Sequence, residues 1–393
     1  MPETAAGSTP HPPPTIGMVG GGQLARMTHQ AAIALGIPFR VMVASPTDSA
    51  ALVSPDTTTG DPHSAADLAA FATTCDVMTF DHELVDLDAL DTIESAGAAV
   101  ARPPATALRF ATDKAHQRRA FAAAGLPLPH HRIVDDAPGA AAAGTDLGWP
   151  VVVKTARGGY DGRGVWILDD QAALDALLAQ MGDPCPTLVL EERISLEREL
   201  AVVIARSPDG ATVSYPVVET VQADGICRET IVPARIEPHV ASEAVEVATA
   251  AAEVVGAVGI IAVELFWDGR RVTVNEVATR PHNSGHWTIE GAVTSQFANH
   301  LRAVAGLPLG ATAAVAPAVV MANILGHADG RDPLDHLHTA LGVPGAAVHL
   351  YGKGPRPGRK LGHVTVLADT VADARSRARA GVAALGDPVP DRP

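Results

Sequence analysis

The first hundred residues alternate short apolar runs with longer amphipathic stretches. Residues 15–19 and 39–43 are apolar enough for buried strands, and the segment between them turns at three glycines and continues as a helix to Leu35. A further strand is predicted at 77–80, with Glu83 just beyond its end. Ligands gather at the carboxyl ends of strands in open α/β sheets, which makes Glu83 a candidate to bind sugar hydroxyls. The alternative is an ordinary solvated loop.

The glycine turn at 20–22 also fits the G-x-G-x-x-A pattern of dinucleotide sites. Such a site needs an acid, or an arginine for a phosphorylated ribose, after the second strand, and Ala44, Ser45 and Pro46 stand there. The pattern therefore disfavours a nicotinamide cofactor. The glycines either bind a different phosphate or allow the helix to pack tightly against the strand.

Residues 151–166, VVVKTARGGYDGRGVW, predict a strand, a flexible loop and a second strand. Glycines let backbone N–H groups approach an anion, and Lys154 adds a mobile positive charge beside them. The loop suits a polyphosphate, although no Gly-Lys-Ser/Thr of a Walker A loop occurs in the chain. The alternative is a glycine-rich hairpin turn without a ligand.

The middle of the chain predicts further helices and strands. One helix is expected over 108–124, carrying Asp113 and Lys114, and another over 171–181. Strands are expected at 187–190 and 200–205, the latter preceded by Glu199. Residues 126–196 then form a small α+β lid that carries the glycine loop.

Two apolar strands, 260–266 and 272–277, form a predicted hairpin with one acid in each, Glu264 and Glu276. A two-residue turn would place these acids on opposite faces, whereas a three-residue turn with a bulge pairs position 264 with 274 and places both on one face. We expect the second arrangement, with Asn275 pointing away unless the strand kinks there. Two carboxylates plus phosphate oxygens suit Mg²⁺, and the alternative is a pair of salt-bridged glutamates.

A dense polar loop follows the hairpin. His282 and His286 have the i, i+4 spacing of a helical zinc site, but Pro281 and the Asn-Ser-Gly between them favour an irregular loop, which is better interpreted as a reaction centre. Residues 351–360, YGKGPRPGRK, place four cations in ten residues. They predict a clamp for a phosphate dianion, or else a basic surface loop.

Composition limits the class of protein. The 393 residues carry a net charge of −15, which argues against nucleic acid or an anionic membrane as a partner, and 47% hydrophobic residues indicate a globular protein of two or three domains. Three widely spaced cysteines predict a cytoplasmic location, and neither a signal peptide nor a membrane-spanning run is expected. Only four lysines occur against 25 arginines, which suggests that several of the four contact phosphate.

Together these segments resemble the ATP-grasp ligases, and most closely the N5-carboxyaminoimidazole ribonucleotide synthetase family of purine biosynthesis. The motifs that carry the resemblance are Gly20-Gly21-Gly22-Gln23-Leu24, 79–83, 159–164, 275–276, 280–288, 351–353 and 356–360. The run from Asn275 to Thr288 is the most specific of them. Of the four lysines, Lys353 and Lys360 fall in these segments and Lys154 lies just before the 159–164 segment.

Five prolines among residues 1–14 predict a disordered tail. The resemblance implies α/β and α+β architecture: an N-terminal Rossmann-like pre-ATP-grasp domain (15–106), an ATP-grasp domain (107–310, lid about 126–196) and a small β-rich C-terminal domain (311–393). It also implies a homodimer that carboxylates aminoimidazole ribonucleotide with bicarbonate and ATP, through carboxyphosphate. The alternatives are a formate-using purine ATP-grasp ligase that formylates glycinamide ribonucleotide, and an inactive nucleotide-binding protein.

The resemblance also assigns residues. Arg280, His282 and Lys154 are implied to be catalytic, and Glu264 and Glu276 to bind Mg²⁺ or alternatively Mn²⁺. The implied ATP-binding residues are Lys114, Lys154, Gly159, Tyr160, Asp161, Gly162, Arg163, Gly164, Val165, Glu191, Glu192, Arg193, Ile194, Glu199, Gln222, Asn275 and Glu276. Within this set, Glu191 and the backbone near Ile194 are implied to bind adenine, and Glu199 the ribose. The implied ribonucleotide-binding residues are Gly22, Gln23, Leu24, Glu83, Asn283, Ser284, Lys353, Arg359 and Lys360.

One position departs from the family. Gln222 stands where the family usually has a histidine, and an amide can hydrogen-bond but cannot become cationic.

Overall fold

The computed structural model describes residues 12–159, 164–223 and 225–387. The tail predicted for 1–14 therefore lies mostly outside the described residues. The N-terminal part forms a five-stranded parallel sheet in the order β3-β2-β1-β4-β5. Its strands are β1 Ile16–Val19, β2 Phe39–Val43, β3 Thr57–Thr59, β4 Val77–Phe80 and β5 Val100–Ala101, and its helices are α1 Gln23–Leu35, α2 Ala65–Ala72 and α3 Leu87–Ser95.

The single helix predicted over 108–124 is wrong, because Asp113 interrupts it. The structure has two helices there, α4 Ala105–Thr112 and α5 Lys114–Ala123. Asp113 takes an extended backbone, and its carboxylate accepts a hydrogen bond of 2.9 Å from His116 N. An aspartate that satisfies an N–H of the first turn is a good N-cap, which explains why a new helix begins at Lys114.

A four-stranded antiparallel sheet in the order β6-β9-β7-β8 follows. Its elements are β6 His131–Val134, α6 Ala137–Leu147, β7 Val151–Thr155, β8 Val165–Leu168, α7 Gln171–Met181 and β9 Leu188–Glu192. The strand–loop–strand prediction for 151–166 is confirmed by the pairing of β7 with β8, and α7 has the predicted bounds.

A nine-stranded sheet forms the centre of the molecule. Its path is β15-β14-β10-β12-β13-β16-β18-β17, with β11 paired to β10. The strands are β10 Arg198–Arg206, β11 Thr212–Ser214, β12 Val218–Ala223, β13 Ile226–Val232, β14 Gly259–Trp267, β15 Val272–Ala278, β16 Ala318–Leu325, β17 Ala346–Leu350 and β18 Lys360–Ala368. The associated helices are α8 Pro238–Val255, α9 Thr288–Gly291, α10 Gln296–Val304, α11 Leu337–Leu341 and α12 Val371–Ala384, with 3-10 turns at Asn283–Gly285 and Pro333–His336.

Helix α8 decides which face of the central sheet is available to a ligand. Its buried alanines pack on alternate residues of β10 and β14, among them Leu200, Val202, Val263 and Leu265. Because strand side chains alternate between faces, Glu199 and Glu264 lie on the face opposite α8.

His300 of α10 links the N-terminal and central sheets. Its Nδ1 accepts a hydrogen bond from Ile260 N (3.2 Å), which places the ring proton on Nε2, 2.8 Å from Thr79 Oγ1 of β4. Burial lowers the pKa of His300 to about 3, and the ring is neutral. No helix in the described residues is both long and apolar enough to cross a membrane.

Candidate functional site

Glu264 and Glu276 lie directly opposite each other on the β14–β15 hairpin. The prediction that both acids share a face is therefore confirmed, but the predicted register of 264 with 274 is wrong. The turn has four residues, 268–271, in which Asp268 Oδ1 accepts hydrogen bonds from the backbone nitrogens of Arg270 and Arg271 at 2.8 and 2.9 Å. Leu265 pairs with Val274, and the extra residue of β15 forms a bulge at Asn275.

The bulge turns the Asn275 side chain toward the site instead of away from it. Its Oδ1 accepts a hydrogen bond of 3.1 Å from Lys154 Nζ, and its backbone oxygen accepts one of 2.6 Å from Arg118 Nη2. The prediction allowed for this exception if the strand kinked at Asn275, and the bulge is that kink. These two bonds join the lid sheet, which is the four-stranded sheet β6-β9-β7-β8, and helix α5 to the hairpin.

A carboxylate cluster, defined as Glu199, Glu264 and Glu276, lies on the open face of the central sheet. The pKa of Glu264 is raised to about 8. Removal from water is the largest cause, and the neighbouring Glu276 and Glu199 add more to the pKa than Lys360 and Arg280 take from it. Removal from water also raises the pKa of Glu199 to about 7, although a hydrogen bond with Gln222 opposes the shift. Ionisation of the cluster is therefore unfavourable, and a bound cation would offset that cost.

Among the described residues, no three His, Cys, Asp or Glu side chains are arranged to hold a metal by themselves. A divalent cation at Glu264 and Glu276 must therefore complete its shell with oxygens from phosphate or water, which is how Mg²⁺ usually binds beside nucleotides. Lys114 Nζ lies 3.8 Å from Glu276 Oε2, at the border of the same site. The donor set and its charge fit the metal.

Glu191, by contrast, is buried among cations. Its carboxylate lies 2.6 Å from Arg118 Nε and 2.8 Å from Lys154 Nζ. Burial alone would raise the pKa of Glu191, but Arg118 and Lys154 outweigh it and lower the pKa to about 2. Both carboxylate oxygens are thus engaged within the protein, and they hold Lys154 at the hairpin.

The other implied ATP-binding residues on the lid differ in exposure, and some lie outside the described residues. Glu192 pairs with Arg271 (2.7 Å), Arg193 is exposed, and Ile194 and Val165 are half-buried. A Cβ on Gly164 would come within 2.6 Å of Thr155 Oγ1, so the chain needs glycine there. Gly159 is described, whereas Tyr160, Asp161, Gly162 and Arg163 are not.

The polar loop after the hairpin connects two parts of the molecule. Arg280 Nε donates to Glu83 Oε2 at 2.8 Å, and His282 Nε2 lies 3.3 Å from Glu264 Oε1. Ser284 N donates to His282 Nδ1 (3.3 Å), so the ring proton is on Nε2 and points toward Glu264. Burial, followed by the charges of Arg280 and Lys360, lowers the pKa of His282 to about 3.

The remaining loop residues are held by the C-terminal strands. Asn283 and Asn323 exchange two amide hydrogen bonds of 2.9 and 2.7 Å. His286 is fully buried, and its ring packs against Phe297 and His363, away from the carboxylate cluster. His282 and His286 therefore do not converge on one metal.

A cavity of about 580 Å³ opens at the carboxyl ends of the parallel N-terminal strands. Lys353 and Arg359 contribute its cations, and Lys353 Nζ also donates to Gln23 Oε1. The full lining is Gly20, Gly21, Gly22, Met42, Ala44, Thr47, Asp48, Ser49, Pro62, Asp81, His82, Lys353, Gly354 and Arg359. Two cations in a concave site at this edge suit an anionic ligand.

Asp81, not a ligand, occupies the N-terminus of α1. Its carboxylate accepts hydrogen bonds from Gly22 N (2.6 Å) and Ala25 N (3.0 Å), and a Cβ on Gly22 would lie 2.1 Å from Asp81 Oδ2. The glycine turn therefore makes room for the Asp81 carboxylate at the position where a dinucleotide site would bind pyrophosphate. Leu24 packs into a small core with Met27, Phe297 and Tyr351.

Comparison with known proteins agrees with this geometry. The chain matches family models for a ribonucleotide synthetase preATP-grasp domain (14–112), an ATP-grasp domain (119–297) and a phosphoribosylaminoimidazole carboxylase C-terminal domain (319–377). It is 48% identical over 374 residues to the N5-carboxyaminoimidazole ribonucleotide synthase of Mycobacterium tuberculosis, an alignment that covers 93% of this chain and 86% of the relative. This chain belongs to the N5-carboxyaminoimidazole ribonucleotide synthase family.

Members of this synthase family from distant organisms share the whole fold. The synthase of Synechococcus elongatus is 41% identical, with 89% of each chain covered. The Aspergillus clavatus synthase, crystallised with ADP and 5-aminoimidazole ribonucleotide, superposes with a TM-score of 0.87 at 32% identity and covers 95% of this chain and 99% of its own. The predicted family and the ATP-grasp architecture with its two flanking domains are thus confirmed.

The sequence does not indicate the role of several residues of this synthase site. Arg118 is an arginine within an ordinary helix, and its contact with Glu191 spans 73 positions. Asp48 lines the cavity from a loop. Asp81 lies in the segment after β4, where only Glu83 was singled out. Long-range pairing, not a motif, brings these side chains into the site.

Proposed function

We propose that this chain is an ATP-dependent carbon–nitrogen ligase that carboxylates 5-aminoimidazole ribonucleotide with bicarbonate, giving N5-carboxyaminoimidazole ribonucleotide, ADP and phosphate. The reaction would run through carboxyphosphate in purine biosynthesis. One observation carries the proposal: His282 lies beside Glu264 of the hairpin, and Arg280 binds Glu83, which directly follows the cavity-lining residues Asp81 and His82 in the chain. A single loop thus contacts both the hairpin and the segment that lines the cationic cavity.

The nucleotide half is built on the hairpin. Lys154 and Lys114 bring positive charge toward the triphosphate, and the glycine loop follows β7 directly. Glu264 and Glu276 would hold Mg²⁺, which when bound neutralises phosphate charge. Glu191 keeps Lys154 extended toward the hairpin, because the two are joined at 2.8 Å inside the protein.

The ribonucleotide half is the 580 Å³ cavity. Lys353 and Arg359 are suited to a phosphate dianion, since a point charge and a guanidinium both bind phosphate oxygens. Glu83 already holds Arg280 and the backbone of Thr279, so its main contribution is to fix Arg280 between the two sites.

Arg280 and His282 form the reaction centre in this scheme. The guanidinium stabilises the negative charge of bicarbonate and carboxyphosphate, and the neutral imidazole presents its Nε2 proton as a hydrogen-bond donor. The partly buried setting limits attack by water on the short-lived carboxyphosphate. No side chain has to act as the base, because released phosphate can accept the proton of the exocyclic amine.

The direct test is to incubate the protein with ATP, Mg²⁺, bicarbonate and 5-aminoimidazole ribonucleotide and to measure ADP. We expect release that depends on both bicarbonate and the ribonucleotide. Equal activity with formate and glycinamide ribonucleotide would identify the formylating ligase instead, and nucleotide binding without turnover would identify an inactive protein. Lys154→Met should lose turnover by about 10²-fold or more, since it removes a preorganised cation.

We also propose that the chain acts as a homodimer in the cytoplasm. The three free cysteines support a reducing compartment, since none is paired. Light scattering after gel filtration should give twice the chain mass of 40.4 kDa, and a monomer mass would contradict the dimer.

A further inference from the structure

A buried amide at the start of α10 holds the backbone of the reaction loop. Gln296 is fully buried, its Oε1 accepts a hydrogen bond of 2.9 Å from His282 N, and its Nε2 donates one of 2.8 Å to His282 O. A backbone N–H can only donate and a backbone C=O can only accept, so the orientation of the amide is determined. Gln296 thus pairs with His282 as a neighbouring strand would.

The remaining hydrogen-bond capacity of this amide is also used inside the loop. The second Nε2 proton points at His286 Nδ1, 3.1 Å away. Gln296 N donates to Thr288 Oγ1 (2.9 Å), which in turn donates to Gly285 O (2.6 Å). Gly285 leaves the space for this contact, because a Cβ there would lie 2.4 Å from Gln296 Oε1.

The position of the His282 ring depends on this support. The loop lies between strands and helices without a ladder of its own, and Gln296 supplies both backbone bonds that a ladder would give to His282. With the backbone fixed, Ser284 N sets the tautomer and Nε2 faces Glu264. A shift of about 1 Å in such a group can cost about 10² in rate.

We infer that Gln296 is a positioning residue for the carboxylation reaction, acting through the backbone of His282. The inference rests on the proposed function and adds a specific residue to it. Gln296 touches neither substrate site; it keeps the imidazole where carboxyphosphate forms, so that the carboxyl group reaches the amine and is not lost to water.

The test compares Gln296→Met with Asn299→Leu. Asn299 is a matched control because it is equally buried in the same helix, and its amide pairs in the same way with the backbone of Gly310, with Oδ1 accepting at 2.7 Å and Nδ2 donating at 3.2 Å. Both variants remove an amide from one backbone N–H and one backbone C=O. His282 O keeps a second hydrogen bond from Gly285 N (2.9 Å), and Asn299→Leu also removes the bond from Nδ2 to Tyr215 Oη (2.8 Å). The two variants differ in the loop that they release: Gln296→Met releases the loop that carries His282, whereas Asn299→Leu releases the loop at Gly310.

The readout is the ratio of ribonucleotide carboxylated to ADP released, together with kcat and KM for ATP. This ratio does not depend on how much of the protein is folded. For Gln296→Met we expect kcat to fall by about 10²-fold, the KM for ATP to change less than about threefold, and the ratio to drop several-fold. For Asn299→Leu we expect the wild-type ratio, even if its thermal stability falls.

Gly285→Ala serves as a second variant, because its methyl group displaces the Gln296 amide without removing it. We expect the same drop in the ratio of ribonucleotide carboxylated to ADP released. A wild-type ratio in both Gln296→Met and Gly285→Ala would overturn the inference. A drop of the ratio in Asn299→Leu as large as that in Gln296→Met would overturn it as well. If the wild-type protein itself releases no ADP in response to the ribonucleotide, the proposed function fails and the inference with it.

Discussion

Acids withdrawn from water on the central and lid sheets fall into two groups with opposite electrostatics. Glu191, Glu219 and Glu229 each lie against two cations, with partners at 2.6 and 2.8 Å, 2.5 and 3.2 Å, and 2.7 and 2.9 Å respectively. The pKa of each is lowered, because these cations outweigh the effect of burial. Glu264 and Glu199 lie beside other carboxylates, and their pKa values are raised.

The contrast separates acids that stabilise the fold through ion pairs, in the first group, from acids that are placed to bind a cation, in the second. A carboxylate removed from water normally has a cationic or hydrogen-bonding partner, because unpaired burial is costly. The chain supplies arginines for the first group and places the carboxylates of the second group together, where they repel. Such an arrangement persists when an external cation lowers its energy in the working state.

The largest effect that would sharpen this comparison is on catalysis. Glu264→Gln removes a proposed metal ligand, and we expect ribonucleotide-dependent ADP release to fall by about 10³-fold, as when a main source of transition-state stabilisation is lost. Glu219→Gln is the control from the first group, and its turnover per folded molecule should stay within a few-fold of wild type. Similar losses in both variants would erase the distinction.

The second effect is on stability. Glu191→Gln leaves Arg118 and Lys154 buried without their counter-charge, and breaking a buried pair in this way typically costs about 3–5 kcal/mol. Urea unfolding at neutral pH measures the loss. The double variant Arg118→Met/Glu191→Gln should recover part of it, because one uncompensated charge is then absent. A neutral Glu191→Gln would contradict a structural role for this acid.

How far the sequence predicts these features depends on the range of the interactions. The strand at 77–80 and the helix at 171–181 were correct because their patterns are local. The hairpin register was not, since the bulge at Asn275 is fixed by Lys154 and Arg118, more than a hundred positions away. The two groups of acids look alike in the sequence for the same reason: their partners come from other elements.

The third effect is on the pH dependence of stability without metal. For Glu264 the folded pKa of about 8 exceeds the unfolded value of about 4.5, so the folded state binds more protons, and the free energy of unfolding falls as pH rises from about 4.5 to 8. For Glu191 the folded pKa of about 2 makes stability increase between pH 2 and about 4.5 and level off above it.

Urea unfolding in EDTA at pH 5 and pH 8 tests this sign. We expect wild type to lose stability over this interval relative to Glu264→Gln, by about 3 kcal/mol, because the interval spans most of the gap between the folded and unfolded pKa values. The difference between the two proteins isolates Glu264 from other titrating groups. Parallel pH profiles would show that the pKa of Glu264 is not raised in the folded protein.

The smallest effect concerns an exposed pair at the edge of the site. Arg271 and Glu192 are 2.7 Å apart, but their side chains remain 43% and 30% exposed, and water and salt screen such pairs. We expect Arg271→Ala to cost less than about 1 kcal/mol in urea unfolding, and less still at high salt. Glu192 keeps its bond from His130 N in that variant, so the KM for ATP should change little. A stability loss as large as that of Glu191→Gln would mean that exposure does not separate these ion pairs. A large rise in the KM for ATP would mean that the charge of Arg271 acts on the nucleotide site directly.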